Sequence, residues 1–398
     1  MDWSPQQQEA LNKVTRWLED PSGIFRLFGY AGTGKTTLAK HFAEGINGKV
    51  LFGAYTGKAA MVLKDKGCYN ASTIHRLIYI PKHKSKFRLQ KLREQFDLEL
   101  DPNEAAKLQK DIMTEEENLK RPSFALNHDS EVKYAKLLIL DEVSMVGNII
   151  GQDIAEFGTP VLALGDPAQL PPVRDGGYYT NCKPDLMLKE IHRQAECSPI
   201  IDLATKVRKG ERLSIGAYGE SNVIPKGRLT IEEIAAYNQI IVGKNVTRKS
   251  INKQIRKEVL HRETHLPEQG DLLICLKNNY DNGLLNGSQW IVLEARIIDD
   301  DFMVLEICNA DDPDKYSFEV IAFRHHFEDR ADAIAHYEMG DADHFDFGYA
   351  ITCHKAQGSQ WKDVCIVDES AVFNRNGSQD KWLYTAITRA SEKVTVIQ

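Results

Sequence analysis

The sequence has no cysteine pair at C-x-x-C spacing. Its seven cysteines, Cys68, Cys182, Cys197, Cys275, Cys308, Cys353 and Cys365, are odd in number and scattered. Such a pattern speaks against a disulfide framework or a structural zinc site and fits a reducing compartment. Long apolar runs are also missing. Leu137–Leu140 and Val161–Leu164 are among the longest, far short of a membrane span. The opening Met1-Asp2-Trp3-Ser4-Pro5 lacks the basic and apolar regions of a secretory signal, so a cytoplasmic protein without membrane contact is expected. There is no internal repeat and no low-complexity tract. An excess of positive charge is absent as well: 50 Lys+Arg stand against 57 Asp+Glu, a formal net charge of −7. That excludes a histone-like, tail-driven nucleic-acid binder, but not a protein with one local basic groove. What remains is a globular chain whose 398 residues suggest two to four domains.

Short apolar segments alternate with helical patterns. Ile24–Phe28, Lys49–Gly53, Leu137–Leu140 and Pro160–Leu164 read as buried strands of a doubly wound parallel sheet. A second set follows, with strands at Gln239–Val242, Val364–Val367 and Lys393–Ile397 and helices at Thr247–Leu260 and Lys381–Arg389. Two α/β domains are the simplest account. Two stretches break the rhythm. In residues 82–93 there are six Lys or Arg and no acid, and in 94–117 there are nine acids. Asp101-Pro102-Asn103-Glu104 has the form of a helix start. Pro81–Lys136 therefore reads as an inserted helical hairpin flanked by extended pieces near Ile78–Ile80 and Ser123–Leu126. Gly270–Phe327 alternates β-like runs with Asn282-Gly283 and Asn286-Gly287 turn signals, as a small barrel would.

Gly29-Tyr30-Ala31-Gly32-Thr33-Gly34-Lys35-Thr36 matches G-x-x-x-x-G-K-[ST], after a strand and before a helical run from Thr37. Backbone N–H groups of such a loop face a β-phosphate at a helix N-terminus. Lys35 can span the β- and γ-phosphates, and the Thr36 hydroxyl can ligate Mg²⁺. Asp141-Glu142 ends the apolar Leu137–Leu140 strand. There Asp141 is the expected Mg²⁺ partner and Glu142 the group that orients and deprotonates water. ATP and Mg²⁺ are the implied ligands.

Further motifs follow in order. Gln7 stands in Ser4-Pro5-Gln6-Gln7; Tyr55-Thr56-Gly57-Lys58 and Ser72-Thr73-Ile74-His75 follow the second strand; Gly165-Asp166-Pro167-Ala168-Gln169-Leu170-Pro171-Pro172 follows the fourth. Glu190-Ile191-His192-Arg193-Gln194, Asn245-Val246-Thr247-Arg248, Thr352-Cys353-His354-Lys355-Ala356-Gln357-Gly358 and Tyr384-Thr385-Ala386-Ile387-Thr388-Arg389 come later. The series resembles superfamily 1B DNA helicases of the RecD-like branch, and is similar to bacteriophage Dda-type helicases. It departs from them at Tyr55, where relatives usually carry Pro, and at Gln360, where many carry Glu.

The resemblance implies two RecA-like P-loop motor domains, an inserted pin/helical subdomain and an SH3-like barrel. The expected bounds are 1–80 and 137–181 for the first motor, 81–136 for the pin, 182–269 and 345–398 for the second motor, and 270–344 for the barrel. It implies nucleotide contacts by Gln7, Gly32, Thr33, Gly34, Lys35, Thr36, Thr37 and Gly358. Gln169, Arg193 and Arg389 would sense or reach the γ-phosphate. It implies DNA contacts by Tyr55, Thr56, Gly57, Lys58, Thr73, His75, Asn245, Arg248, Thr352 and His354, with Phe124 or Phe87 at the pin. The implied activity is 5′-to-3′ translocation on single-stranded DNA with unwinding of duplex. The implied partners are forked DNA and replication or recombination proteins such as a single-strand-binding protein, met by a monomer. An RNA-directed helicase, or a loader acting mainly through a protein partner, is the alternative. A motor that releases its strand every cycle would gather its positive potential along the groove, near Lys58, His75, Arg248 and His354.

Overall fold

The computed structural model describes residues 3–81, 87–99, 101–119, 124–172, 176–190, 198–314, 316–328, 330 and 342–398, excluding the side chains of 81, 87, 88, 117–119, 375 and 376. Arg193 and residues 82–86 of the basic run therefore lie outside the described residues.

The first α/β unit is built on a six-stranded, all-parallel sheet. Its strands run in the spatial order 71–73, 50–54, 137–141, 161–165, 24–29, 186–188. Leu137, Leu138, Ile139 and Leu140 are each at most 1% exposed, because helices cover both faces of a parallel sheet. The preceding helix Pro5–Glu19 starts at a capping box, in which Ser4 and Gln7 satisfy each other's backbone N–H groups, with Pro at the first turn. The strand Leu186–Leu188 pairs parallel with Ile24–Gly29. This corrects the expected boundary after 181: the first sheet gains its edge strand from residues beyond it.

The second unit has six strands in the order 350–352, 239–242, 361–367, 390–397, 221–224, 216–218. All pairs are parallel except the hairpin of the last two. Helix Gln379–Ile387 buries the six consecutive residues Trp382 to Ile387. Neighbours therefore enclose it on nearly every side.

Two insertions interrupt the α/β pattern. Helices Phe87–Leu98 and Pro102–Leu119 pair as a hairpin beyond a two-stranded ribbon, in which Tyr79, Ile80 and Pro81 face Leu126, Ala125 and Phe124. The later insertion is an antiparallel sheet in the order 317–323, 302–309, 289–297, 272–275, 345–347. Its edges meet where Ala322 bridges Asp343, and backbone bonds Phe323 N to Asp343 O (3.0 Å) and Asp343 N to Ile321 O (2.7 Å) curl the sheet onto itself. Phe345–Phe347 belongs to this sheet, paired with Leu272–Cys275. The boundary expected at 344/345 is corrected accordingly. The described cysteines, Cys68, Cys182, Cys275, Cys308, Cys353 and Cys365, are all free.

One buried carboxylate joins the curled sheet to the second α/β unit. Asp271, 0% exposed, accepts from Arg256 Nε and Nη2 (both 3.2 Å), Arg262 Nη1 (3.3 Å), Glu268 N (2.7 Å) and the Tyr349 hydroxyl (2.7 Å). Removing one partner of a buried charge cluster strands the others. Asp271→Asn should therefore lower unfolding stability by about 3–5 kcal/mol, read as a fall in the urea midpoint.

Candidate functional site

The C-terminal ends of the first sheet converge on the phosphate loop, as ligand sites do in open α/β folds. Gly34, with φ +79°, turns the chain into helix Lys35–Glu44 in a left-handed conformation that suits glycine. Lys35 Nζ donates to the carbonyls of Gly29 (2.7 Å) and Tyr30 (3.0 Å), and so lies folded across its own loop. Thr36 Oγ1 donates to Asp141 Oδ2 at 3.0 Å. Burial pushes the Asp141 carboxyl up from its ordinary value, the Glu142 charge adds to this, and Lys35 opposes it. Two hard oxygens thus sit together where a cation would relieve the buried carboxylate. Thr33 is buried, Gly32 has φ +79°, and Thr37 is exposed on the first turn.

Glu142 adopts φ 53° and ψ 42°, left-handed for a residue with a side chain. Such strain costs about 1–3 kcal/mol and tends to persist at functional sites. Its backbone N–H is held by Asp141 Oδ1 at 2.9 Å, and its carboxylate accepts no hydrogen bond among the described residues. The group is fixed at its root and available at its tip.

The Gly165–Pro172 motif ties this site to the second unit. Tyr384 donates its hydroxyl to Asp166 Oδ2 (2.6 Å) and accepts from the N–H of Ala31 in the phosphate loop (3.0 Å). Burial raises the pKa of both Asp166 and Tyr384, and Lys35 partly opposes the shift at Asp166. Leu170 N donates to Thr385 Oγ1 (2.9 Å), and Gln357 Nε2 donates to Leu170 O (3.2 Å). Arg208 lies 3.5 Å over the Tyr30 ring. Gln169 is buried and accepts from Ser144 Oγ at 3.3 Å.

Several expected contacts are placed differently. Gln7, expected to read adenine, caps its own helix through Oε1 and donates from Nε2 to Thr33 O at 3.1 Å. Arg389 is 4% exposed and donates to Thr385 O (3.2 Å), Ser359 O (3.2 Å) and Thr388 Oγ1 (3.3 Å), so its guanidinium is held inside the second unit. Gly358 packs against the first unit's Thr56 and Ala59. A Cβ there would lie 2.7 Å from Thr56 Oγ1 and 2.9 Å from Ala59 Cβ, at φ +80°. It is a close contact between the two units' expected strand-binding motifs.

The expected positive groove is corrected as well. Arg248 is 7% exposed, with Nη1 2.5 Å from Asp346 Oδ2 and Nε 3.3 Å from Asn245 Oδ1. It is an internal tie between helix Asn245–Gln254 and the barrel strand. Lys58 pairs with Asp311 of the barrel. Burial lowers the pKa of His75 and of His354, which keeps both rings neutral near pH 7. None of the four residues carries uncompensated charge.

Aromatic surface stands there instead. His75 packs within 6 Å of Tyr55 (5.8 Å), Tyr79 (5.6 Å) and Phe124 (5.9 Å). Phe124 is 45% exposed at the outer end of the described ribbon. Thr352 is buried beneath the short helix Cys353–Ala356, and the His354 ring lies 6.0 Å from Phe373. Barrel residues that sequence reasoning missed lie over the first unit's motifs. Tyr280 shares a hydrogen bond of 2.7 Å with Thr73 Oγ1 and sits 4.4 Å under Arg76, and a Cβ on Gly57 would meet Asn278 Oδ1 and Leu285 Cβ at 2.8 Å. More than two hundred positions separate Tyr280 from Thr73, so no local pattern signals the contact.

Residues 2–228 match the family model for an AAA domain, and residues 347–397 match that for a UvrD-like helicase C-terminal domain. The ATP-dependent RecD2 DNA helicase of Deinococcus radiodurans is 26% identical over 409 residues, covering 92% of this chain and 46% of that protein. The ATP-dependent DNA helicase dda of Enterobacteria phage T4 is 26% identical over 223 residues, covering 53% of this chain and 43% of that protein. The chain thus spans about half the length of the curated relatives it matches. Among solved structures, Pif1 helicase from Candida albicans superposes with a TM-score of 0.54 at 18% identity, over 100% of this chain and 94% of that one. Bacteroides Pif1 bound to single-stranded DNA gives 0.52 at 16%, over 99% and 92%. At such identities the likeness is one of fold.

Tyr384→Phe should uncouple the units while leaving each folded. The buried Asp166 loses its hydroxyl donor and the Ala31 N–H its acceptor, a cost of about 1–3 kcal/mol. Nucleotide-dependent closure, followed by fluorescence transfer between labels on the two α/β units, should weaken by about tenfold or more.

Proposed function

The chain belongs to the AAA-domain family, and we propose that it is an ATP-dependent DNA helicase of the RecD/Pif1/Dda-like branch of superfamily 1B. The observation that carries this reading is the Tyr384 hydroxyl, which hydrogen-bonds both the phosphate loop and Asp166 from the second unit. A nucleotide in that loop would be felt directly across the cleft.

In this mechanism Lys35 leaves its loop carbonyls for the β- and γ-phosphates. Thr36 and Asp141 would hold Mg²⁺, which when bound neutralises phosphate charge. Glu142 takes a proton from a water whose oxygen bonds to the γ-phosphorus as the bond to the β–γ bridging oxygen breaks. Arg193 and Arg389 are the proposed γ-phosphate arginines, and Arg389 must exchange its internal carbonyl partners to serve. Such arginines contribute about 10³–10⁵ in rate in related phosphoryl transfers. Hydrolysis reopens the cleft, and the two units alternate their hold on the strand.

The strand surface we propose is a stacking platform of Tyr55, His75, Tyr79 and Phe124, supplemented by Thr352 and His354. Base–aromatic stacking contributes about 1–3 kcal/mol per base and tolerates any sequence. With Lys58 and Arg248 neutralised, stacking outweighs ionic contact in this surface. We assign the ribbon at Tyr79–Pro81 and Phe124–Leu126 as the strand-separating pin. The curled sheet, read as the SH3-like element, guides the strand over Thr73 through Tyr280. Polarity is proposed as 5′ to 3′, acting as a monomer beside proteins such as a single-strand-binding protein.

Unwinding of a forked duplex bearing only a 5′ or only a 3′ tail, in DNA and RNA versions, tests activity, polarity and nucleic-acid type together. Activity on the 5′-tailed DNA alone is expected; activity on neither tail overturns the helicase reading. Lys35→Ala should abolish DNA-stimulated ATP hydrolysis with an unchanged melting profile. Glu142→Gln should bind nucleotide and DNA but turn over at least about 10²-fold more slowly, as loss of a general base does. Phe124→Ala should reduce unwinding more than translocation, measured with a strand-displacement and a streptavidin-displacement assay; equal loss removes it from the pin.

A further inference from the structure

A second concentration of charge lies away from the phosphate loop. Where helix Asn245–Gln254 passes into the wider turn Ile255–Val259, a cavity of about 540 Å³ opens between the second motor and the barrel. Five Lys or Arg line it, against two acids, Glu263 and Asp346. Asp346 is already paired with Arg248. The floor holds Arg256 and Arg262 around Asp271, with Glu268 3.6 Å from Arg256, so two carboxylates balance the two guanidiniums and the lysines of the rim are left without an internal acid. Arg256 is fixed there by the carbonyls of Thr264 (2.5 Å) and Leu266 (2.7 Å) and by the Phe347 ring beneath it at 4.3 Å.

The rim supplies mobile charge. Lys253 and Lys257 are exposed, line the cavity, and have no ion-pair partner among the described residues. They are four positions apart on one helical face, about 6 Å along the axis. That pitch is comparable to the separation of successive phosphates on one nucleic-acid strand. Lys58 and Arg248, near the expected strand groove, are by contrast already paired with acids.

We infer that this cavity is a second nucleic-acid site, which holds the phosphodiester backbone of a segment other than the tracked strand. It rests on the helicase reading above. The chemistry is phosphate recognition by the two free ammonium groups of Lys253 and Lys257 at the mouth of a rigid cavity, and it reads no sequence. The segment is either the duplex ahead or the strand displaced from it. Both present the same backbone.

The test uses the full chain and K253E/K257E, with K253Q/K257Q as the milder variant. Binding of labelled forked DNA with a 5′ tail, with or without a second 3′ tail, is measured across a salt series. ATP hydrolysis stimulated by a short oligothymidylate is measured alongside. Charge reversal should weaken fork binding by about tenfold or more and reduce the salt slope by about 2, with the glutamine pair intermediate. Oligothymidylate-stimulated hydrolysis should stay within about twofold, since the tracked strand does not use these lysines. Loss on both forks assigns the duplex, and loss only with the second tail assigns the displaced strand.

Unchanged fork binding overturns the inference. So does a parallel fall in oligothymidylate stimulation, which would merge the lysines with the strand groove. Variant-sensitive binding of a polyglutamate peptide, with fork binding unaffected, overturns it in favour of an acidic protein partner. Failure of the helicase reading itself is distinct: the unmodified chain would then show no stimulation by oligothymidylate at all.

Discussion

A single phenolic hydroxyl carries the connection on which this molecule's chemistry depends. Tyr384 sits on a helix enclosed on nearly all sides, and its oxygen both donates to Asp166 and accepts from Ala31. Asp166 is buried and Ala31 half-buried, so the bond to Asp166 in particular cannot be exchanged for a solvent one without cost. Lys35, Asp141 and Glu142 are the first unit's proposed nucleotide groups, and this hydroxyl is the second unit's direct contact with their loop. Thr385 and Gln357 extend the same seam along Leu170, so the loop after the fourth strand is gripped by two separate motifs of the other unit.

The sequence was most legible where chemistry is local. The phosphate loop, the acidic pair after Leu140 and the apolar strands are contiguous patterns, and the fold places each of them at one sheet end. Legibility failed where a residue's role depends on a distant partner. Arg248 reads as a strand contact until Asp346, 98 positions away, is seen beside it. Gly358 reads as a nucleotide neighbour, but its missing side chain makes room for Thr56 and Ala59. Strands Leu186–Leu188 and Phe345–Phe347 are three residues each, too short to show a period, and both fell on the wrong side of an expected boundary.

Electrostatics changes most between the two readings. A net charge of −7 suggested that positive residues would gather in the strand groove. The fold instead neutralises Lys58 and Arg248 with barrel carboxylates and half-buries His75 and His354 as uncharged rings. What the groove offers is aromatic surface. Ionic attraction falls off with salt and stacking does not, so the tracked strand and any second segment should answer to ionic strength very differently.

The contact at Gly358 bears on the path a strand can take. The two units approach there until only a hydrogen atom separates the Gly358 backbone from Thr56 and Ala59. No nucleotide can thread between surfaces that exclude a methyl group. The expected strand motifs of the two units therefore meet as one continuous surface at Gly358, and the loop that carries Tyr280 lies over the first unit's share of it, so that surface cannot be deepened at Gly358 without parting the units.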